Sequence, residues 1–331
     1  MSHSNSCPTC ENARRCLGPM TGATSAVPAR FRAMDTPTRD LTSLAPIRRV
    51  EAVVNPAAGG VGPDSAAALK LLLDEFGLES RVVAAEPERI EEALLSAIEA
   101  KPDLLIVLAG DGTASRAADL CGPNGPLLAP LPGGTMNMLP SALYGLHPWR
   151  ESLIACLERG GERQVSCGEV GGLRFYCVAI LGTPAFWAPA REAARQGDLL
   201  TAWKRAVFAF SRAFHTRLRF RADERRAHGT VALALICPLI SKVLDKENSL
   251  EAARLDLHDV IEVFRLGLHN MMGDWRADPG VDTEPCVRGR AWARRKIPCL
   301  IDGEMHWLGR SADIRFVRKA FRALAPVEPD A

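Results

Sequence analysis

Three short segments in the first half of the chain combine glycine with Asn, Asp or Thr, and each follows an apolar run. They are Asn55-Pro-Ala-Ala-Gly59, Gly110-Asp-Gly-Thr113 and Pro132-Gly-Gly-Thr-Met-Asn137. Glycine loops let backbone N–H groups close on phosphate oxygens, and the helix that follows adds positive potential. Any one segment alone also fits a tight turn. Because ligands bind at the carboxyl ends of strands in open α/β sheets, the three together predict a phosphate site.

A fourth segment, Ile301-Asp-Gly-Glu304, carries two carboxylates close to the end of the chain. On a strand, Asp302 and Glu304 would face the same side. Asp-Gly is also a favoured turn dipeptide, so an ordinary hairpin turn is the alternative.

The familiar motifs of other enzyme classes are missing from the sequence. It contains no G-x-x-x-x-G-K-[ST], no complete G-x-G-x-x-G, no H-E-x-x-H and no G-x-S-x-G. These absences argue against a P-loop NTPase, a zincin and an α/β-hydrolase.

The elements around the first three segments predict an α/β domain over residues 47–160. Apolar runs at 49–54, 81–85, 104–108 and 127–131 indicate strands, and helical periodicity covers 64–76 and 87–100. Continuously apolar strands that alternate with helices predict a doubly wound parallel sheet covered on both faces.

After Gly160 the sequence pattern changes to that of shorter strands, which predicts a mostly antiparallel β-sandwich domain over 161–310. Strands are expected at 163–170, 173–181, 216–222, 230–238, 254–266 and 286–302, with a helical stretch near 190–214. Residues 311–331 are expected to pack back on the first domain. Residues 1–46 have no periodicity and predict a disordered leader, although Cys7, Cys10 and Cys16 leave zinc binding as an alternative.

Composition narrows the function classes. The 331 residues carry a net charge of +2 and are 47% apolar, which argues against a nucleic-acid-binding protein. Seven of the ten cysteines are scattered singly from Cys121 to Cys299, which is typical of reduced thiols in a cytoplasmic protein. The longest uncharged apolar runs fall short of the roughly 20 residues that span a bilayer.

In their order and spacing, the four segments resemble the diacylglycerol kinase catalytic-domain family, which includes bacterial lipid kinases and sphingosine and ceramide kinases. The resemblance extends from about residue 48 to 325. It implies a first domain like those of NAD kinase and phosphofructokinase, and an ATP- and Mg²⁺-dependent lipid kinase of phospholipid biosynthesis. The acceptor would be a hydroxyl of a diacylglycerol- or sphingoid-like lipid.

The resemblance also implies roles for individual residues. ATP would be bound by Asn55, Gly59, Gly110, Gly112, Thr113, Gly133, Gly134, Thr135 and Asn137. Asp111 would act in the central phosphate loop, Asp302 would be the general base, and Asp256 and Glu304 would hold Mg²⁺.

The sequence departs from the family at Arg116, Ala185 and Ala252, where polar or acidic residues are common. These departures leave open a catalytically weak nucleotide- or lipid-binding homologue. An NAD kinase-like enzyme, which shares the G-D-G-T motif, is the other alternative.

Membrane contact is expected from a basic stretch over 199–222, which has six Lys/Arg and no acidic residue. Trp203, Val207, Phe210 and Phe214 follow helical spacing there, so an interfacial helix and an ordinary core helix are both consistent with it. A second basic cluster comprises Arg288, Arg290, Arg294, Arg295 and Lys296. We therefore expect a cytoplasmic protein, with peripheral contact at the inner membrane face if the stretch is an interfacial helix, and a homodimer is left open.

Overall fold

The apolar runs of the N-terminal half form four parallel strands in a computed structural model, which describes residues 46–182, 217–241, 248–255 and 281–326. They are β1 (Arg49–Val54), β2 (Glu79–Ala84), β3 (Leu104–Ala109) and β4 (Leu127–Pro132). Their order in the sheet is β2-β1-β3-β4, and every pairing is parallel. Every residue of β3 is buried, as expected for a strand that is covered on both faces.

Helices connect these strands. They are α1 (Ser65–Glu75), α2 (Ile90–Glu99), α3 (Asp111–Cys121), α4 (Met138–Tyr144) and α5 (Trp149–Arg159), with a 3₁₀ turn at Pro87–Arg89 before α2. The helices predicted at 64–76 and 87–100 are confirmed. The sequence pattern did not identify α4, which is short and contains Pro140, or α5.

The second half of the chain is built from strands. They are β5 (Gly160–Val170), β6 (Leu173–Phe175), β7 (Val178–Gly182), β8 (Leu218–Ala222), β9 (His228–Thr230), β10 (Ala232–Ile236), β11 (Leu250–Leu255), β12 (Val281–Cys286), β13 (Arg288–Ala293), β14 (Ile297–Ile301), β15 (Glu304–Leu308) and β16 (Ser311–Pro326). Six of them form an antiparallel sheet in the order β12-β11-β10-β7-β14-β15. The strand predicted at 173–181 is interrupted at residues 176 and 177, which face the candidate site described below.

The long strand β16 links the parallel and antiparallel parts of the fold. It pairs antiparallel with β5 and β13, and parallel with β4 at Ala323. A ten-stranded sheet therefore continues from β4 through β16 to β13, β8 and β9. Leu218 and Phe220 of this sheet share a core with Leu233 and Leu235 of the six-stranded sheet. The predicted fold class, an α/β domain followed by a β-sandwich, is confirmed, and the exact domain limits stay predictions.

Several sequence predictions lie outside the described residues. They include residues 1–45 of the predicted leader, the helical stretch near 190–214, and the positions Ala185 and Asp256. Among the helices that the structure describes, none is long and apolar enough to cross a membrane. The seven cysteines within the described ranges are all buried free thiols.

Candidate functional site

The first three glycine segments meet at the carboxyl ends of β1, β3 and β4. The Gly60 N–H donates to the Gly133 carbonyl at 2.9 Å, and the Gly133 N–H donates to the Ala109 carbonyl at 3.1 Å. The Asn55 N–H donates to the Leu108 carbonyl at 3.0 Å. The three segments therefore form one continuous backbone surface, as the strand order predicts.

Close backbone contact explains the glycines of the third segment. A Cβ atom on Gly133 would lie 2.8 Å from the Ala109 nitrogen, and one on Gly134 would lie 2.8 Å from the Gly110 Cα. Backbone atoms obstruct both positions, so a larger residue would separate the segments. A Cβ on Gly59 would come within 3.4 Å of Thr135 Oγ1, which brings the first segment to the third.

The central segment is the start of a helix rather than the loop that we predicted. Helix α3 begins at Asp111, directly after Gly110, so Asp111, Gly112 and Thr113 form its first turn. The first N–H groups of an α-helix have no partner inside the helix and attract anions. The predicted phosphate site is thus a helix N-terminus backed by glycine loops.

Asn55 and Asn137 use their side chains to shape their own loops. Asn55 Oδ1 accepts a hydrogen bond from the Ala57 N–H at 3.0 Å. Asn137 accepts from the Gly134 N–H at 2.7 Å and donates to the Gly134 carbonyl at 3.0 Å, with its own backbone at φ +50°. Both residues therefore hold the backbone that faces the site.

Asp302 and Glu304 do not share one side of a strand, because the segment forms the hairpin turn that the Asp-Gly dipeptide predicted as the alternative. Asp302 (φ +44°) and Gly303 (φ +93°) form a turn between β14 and β15, which points Asp302 inward and leaves Glu304 exposed. The glycine makes this turn possible because the left-handed region is costly for most other residues.

Three consecutive backbone N–H groups hold the Asp302 carboxylate. Oδ2 accepts from Tyr176 at 2.7 Å, while Oδ1 accepts from Cys177 at 3.0 Å and from Val178 at 2.9 Å. Burial raises the pKa of Asp302, the three N–H groups oppose that shift, and the charge of Asp111 adds to it. The result is a buried carboxylate with a raised pKa.

The Asp302–Glu304 turn reaches the central and third segments. A Cβ atom on Gly112 would lie 2.6 Å from Glu304 Oε1, and one on Gly303 would lie 3.7 Å from Met136 Cε. Burial raises the pKa of Asp111, donors at residues 137–139 oppose the shift, and the Glu304 charge raises it further. All four sequence segments therefore converge on the N-terminus of α3.

Asp111 and Glu304 are carboxylates at the N-terminus of α3 that could help to hold the metal of a nucleotide complex. Within the described ranges, no three His, Cys, Asp or Glu side chains are grouped closely enough to hold an ion. Mg²⁺ in nucleotide sites commonly takes one or two carboxylates and completes its shell with phosphate oxygens and water. Asp256, the other predicted ligand, lies outside the described residues.

Sequence reasoning missed two residues beside the site, Asp119 and Tyr176. The Tyr176 O–H donates to Asp119 Oδ1 at 2.7 Å, and Arg174 Nη1 donates to the same oxygen at 3.3 Å. Asp119 follows Asp111 on the same helix, and this second acid was a weak sequence signal of a position beside the site. Nothing in the sequence near Tyr176 distinguishes it from an ordinary core residue. Arg116, where the sequence departs from the family, instead joins α3 to α2 through Glu91 (Nε to Oε2, 2.9 Å).

Comparisons with known proteins agree with the resemblance. Residues 49–170 match the family described as the diacylglycerol kinase catalytic domain. Three solved structures from Bacillus anthracis str. Sterne, one described as a diacylglycerol kinase, are similar in fold, with TM-scores of 0.61, 0.63 and 0.64. Their sequences are 15–17% identical to this one, and each match covers 85% of this chain and 98% of the other chain. No curated protein matches. The family match confirms the resemblance and supports a lipid kinase in general terms.

Proposed function

We propose, from the match of residues 49–170 to the diacylglycerol kinase catalytic domain, that this protein is an ATP- and Mg²⁺-dependent lipid kinase. The acceptor would be a hydroxyl of a diacylglycerol- or sphingoid-like lipid. The observation that carries the proposal is the approach of Glu304 to Gly112, because it joins the acidic turn of the second half to the helix N-terminus of the first.

The triphosphate would bind at the start of α3. Its first-turn N–H groups and the backbone of the third segment offer donors to phosphate oxygens. Phosphoryl transfer requires positioning and charge neutralisation more than covalent chemistry by the protein. A bound Mg²⁺ would neutralise charge on the transferred phosphoryl group, and Asp111 and Glu304 would hold it.

Asp302 would accept the proton of the lipid hydroxyl at one particular atom. A carboxylate oxygen has two lone pairs, and Oδ1 of Asp302 already accepts two N–H groups. Oδ2 accepts one, from Tyr176, and keeps a lone pair for the hydroxyl. The raised pKa makes this carboxylate a stronger base than an exposed Asp.

A panel of lipid acceptors with labelled ATP tests the proposal on the purified protein. We expect label on a diacylglycerol or sphingoid lipid, with loss of turnover in Glu304→Gln. Glu158→Gln, an exposed acid on α5, is the matched control and should keep parental turnover. Label on NAD⁺ instead of lipid would support the NAD kinase-like alternative, and label on no acceptor would contradict the kinase proposal.

Peripheral membrane contact forms a second part of the proposal, and a basic face on β8 and β13 supports it. Arg221 lies opposite Arg290, and Arg219 lies opposite Trp292. The Arg219 guanidinium carbon is 5.8 Å from the centre of the Trp292 ring. A shallow pocket of about 440 Å³ is lined by Arg221, Arg290, Trp292 and Ser311. Arginine and tryptophan together suit an anionic lipid surface.

Vesicle co-sedimentation tests the membrane contact. We expect Arg221→Ala/Arg290→Ala to bind phosphatidylglycerol vesicles more weakly than the parent, with added salt reducing parental binding. Arg89→Ala, which removes an exposed charge on the first domain, should bind as the parent does. Equal binding by the double variant would exclude this face.

A further inference from the structure

Tyr176 connects two parts of the site that are far apart in the sequence. Its hydroxyl donates to Asp119 Oδ1 at 2.7 Å, and its backbone N–H donates to Asp302 Oδ2 at 2.7 Å. The side chain is fully buried, and its ring packs edge-to-face on Phe321 with the centroids 5.3 Å apart. A buried tyrosine hydroxyl usually has a hydrogen-bond partner, and here that partner is Asp119.

The two partners belong to the two halves of the site. Asp119 lies on α3, whose first turn contains Asp111 and Gly112. Residues 176–178 supply all three backbone donors to Asp302. The Tyr176 side chain therefore ties the helix that would bind phosphate to the segment that holds the proposed base.

We infer that Tyr176 and Asp119 are positioning residues, which set the separation between the N-terminus of α3 and the Asp302 carboxylate. This inference rests on the proposed kinase function for its effect on turnover. Tyr176 acts through its hydrogen bonds, since its side chain is fully buried and its hydroxyl donates to Asp119. A displacement of about 1 Å between reacting groups can lower the rate by about 10²-fold.

Tyr176→Phe removes one hydroxyl and retains the ring that packs on Phe321. We expect kcat to fall by about 10- to 100-fold while KM for ATP stays within about twofold, because α3 and the glycine loops remain intact. Tyr144→Phe is the matched control: Tyr144 is also buried, and its hydroxyl donates to the Leu324 carbonyl at 3.2 Å. It should keep parental kcat, and equal losses in both variants would overturn the inference.

Substitutions at Asp119 distinguish the tyrosine hydrogen bond from the ion pair with Arg174. Asp119→Asn keeps an oxygen that accepts the Tyr176 O–H and should retain most of the turnover. Asp119→Leu has no acceptor, so its kcat should fall as far as that of Tyr176→Phe. The double variant Asp119→Leu/Tyr176→Phe should lose no more kcat than either single variant. An Asn variant as impaired as the Leu variant, or additive losses, would overturn the assignment.

Hydrogen exchange tests the inference without any enzyme activity. We expect amides in peptides covering 173–182 to exchange about tenfold faster in Tyr176→Phe than in the parent or in Tyr144→Phe. Unchanged exchange would overturn the positioning role even in an active kinase. Faster exchange in a protein that phosphorylates no lipid would support the structural link and contradict the proposed function.

Discussion

Gly112→Ala should separate the chemistry of the site from the stability of the fold. Gly112 is an exposed residue in the first turn of α3. Apart from its chain neighbours and the backbone of its own helix, an added methyl would meet Oε1 and Cδ of Glu304 within 4 Å, at 2.6 and 3.6 Å. The obstacle is the end of a flexible, exposed side chain, which can swing away at little cost.

Opposite effects on stability and turnover follow from this geometry. Alanine is favoured over glycine in a helix by roughly 0.5–1 kcal/mol, which would raise Tm by about 1–4 °C. The Glu304 carboxylate must retreat by about 1 Å to reach ordinary van der Waals contact, and a misplacement of that size costs about 10²-fold in rate. We therefore expect a slightly more stable protein with kcat reduced by about 100-fold.

A melting curve and steady-state kinetics over a range of Mg²⁺ concentrations measure the two effects. Ser115→Ala, on the same helix, is the control and should keep parental turnover. If Gly112 acts through Glu304, Gly112→Ala combined with Glu304→Gln should be no slower than the slower single variant. Parental turnover in Gly112→Ala, or additive losses in the double variant, would refute the reasoning.

Three further predictions follow from the site and the core. Asp302→Asn places an amide opposite three N–H donors and should lower the free energy of unfolding by about 1–3 kcal/mol. The loss should be measured as a reduced Tm, and a parental Tm would contradict the hydrogen-bond geometry. ATP–Mg²⁺ should raise the parental Tm by mass action, and the shift should be lost in Asp111→Ala; a retained shift would remove Asp111 from the nucleotide site. Burial raises the pKa of five thiols from 9.0 to about 12. Because these thiols ionise at lower pH in the unfolded chain than in the folded one, the free energy of unfolding should fall as pH rises from 9 towards 12. Denaturant titration measures this fall, and a flat profile would contradict the burial of the thiols. These thiols are Cys121, Cys156, Cys167, Cys286 and Cys299.

Local sequence patterns determined the elements of the first domain and the location of the motifs. The apolar run of β3 and the periodicity of α1 report burial directly, because each residue's environment repeats with the period of its own element. The convergence of three glycine segments was also predictable, since consecutive parallel strands bring their carboxyl ends to one edge of the sheet. Fold class and general function could therefore be predicted from these patterns and the family resemblance that they carry.

Tertiary structure decided how the motifs are used. The left-handed turn at Asp302 and Gly303 directs two neighbouring acids apart, although strand alternation would have put them on one side. Tyr176 meets Asp302 across 126 positions and Asp119 across 57. Periodicity reports which face of an element is buried, but it carries no information about which distant residue will lie against that face. Those contacts depend on β16 and the six-stranded sheet bringing the second half of the chain back to α3.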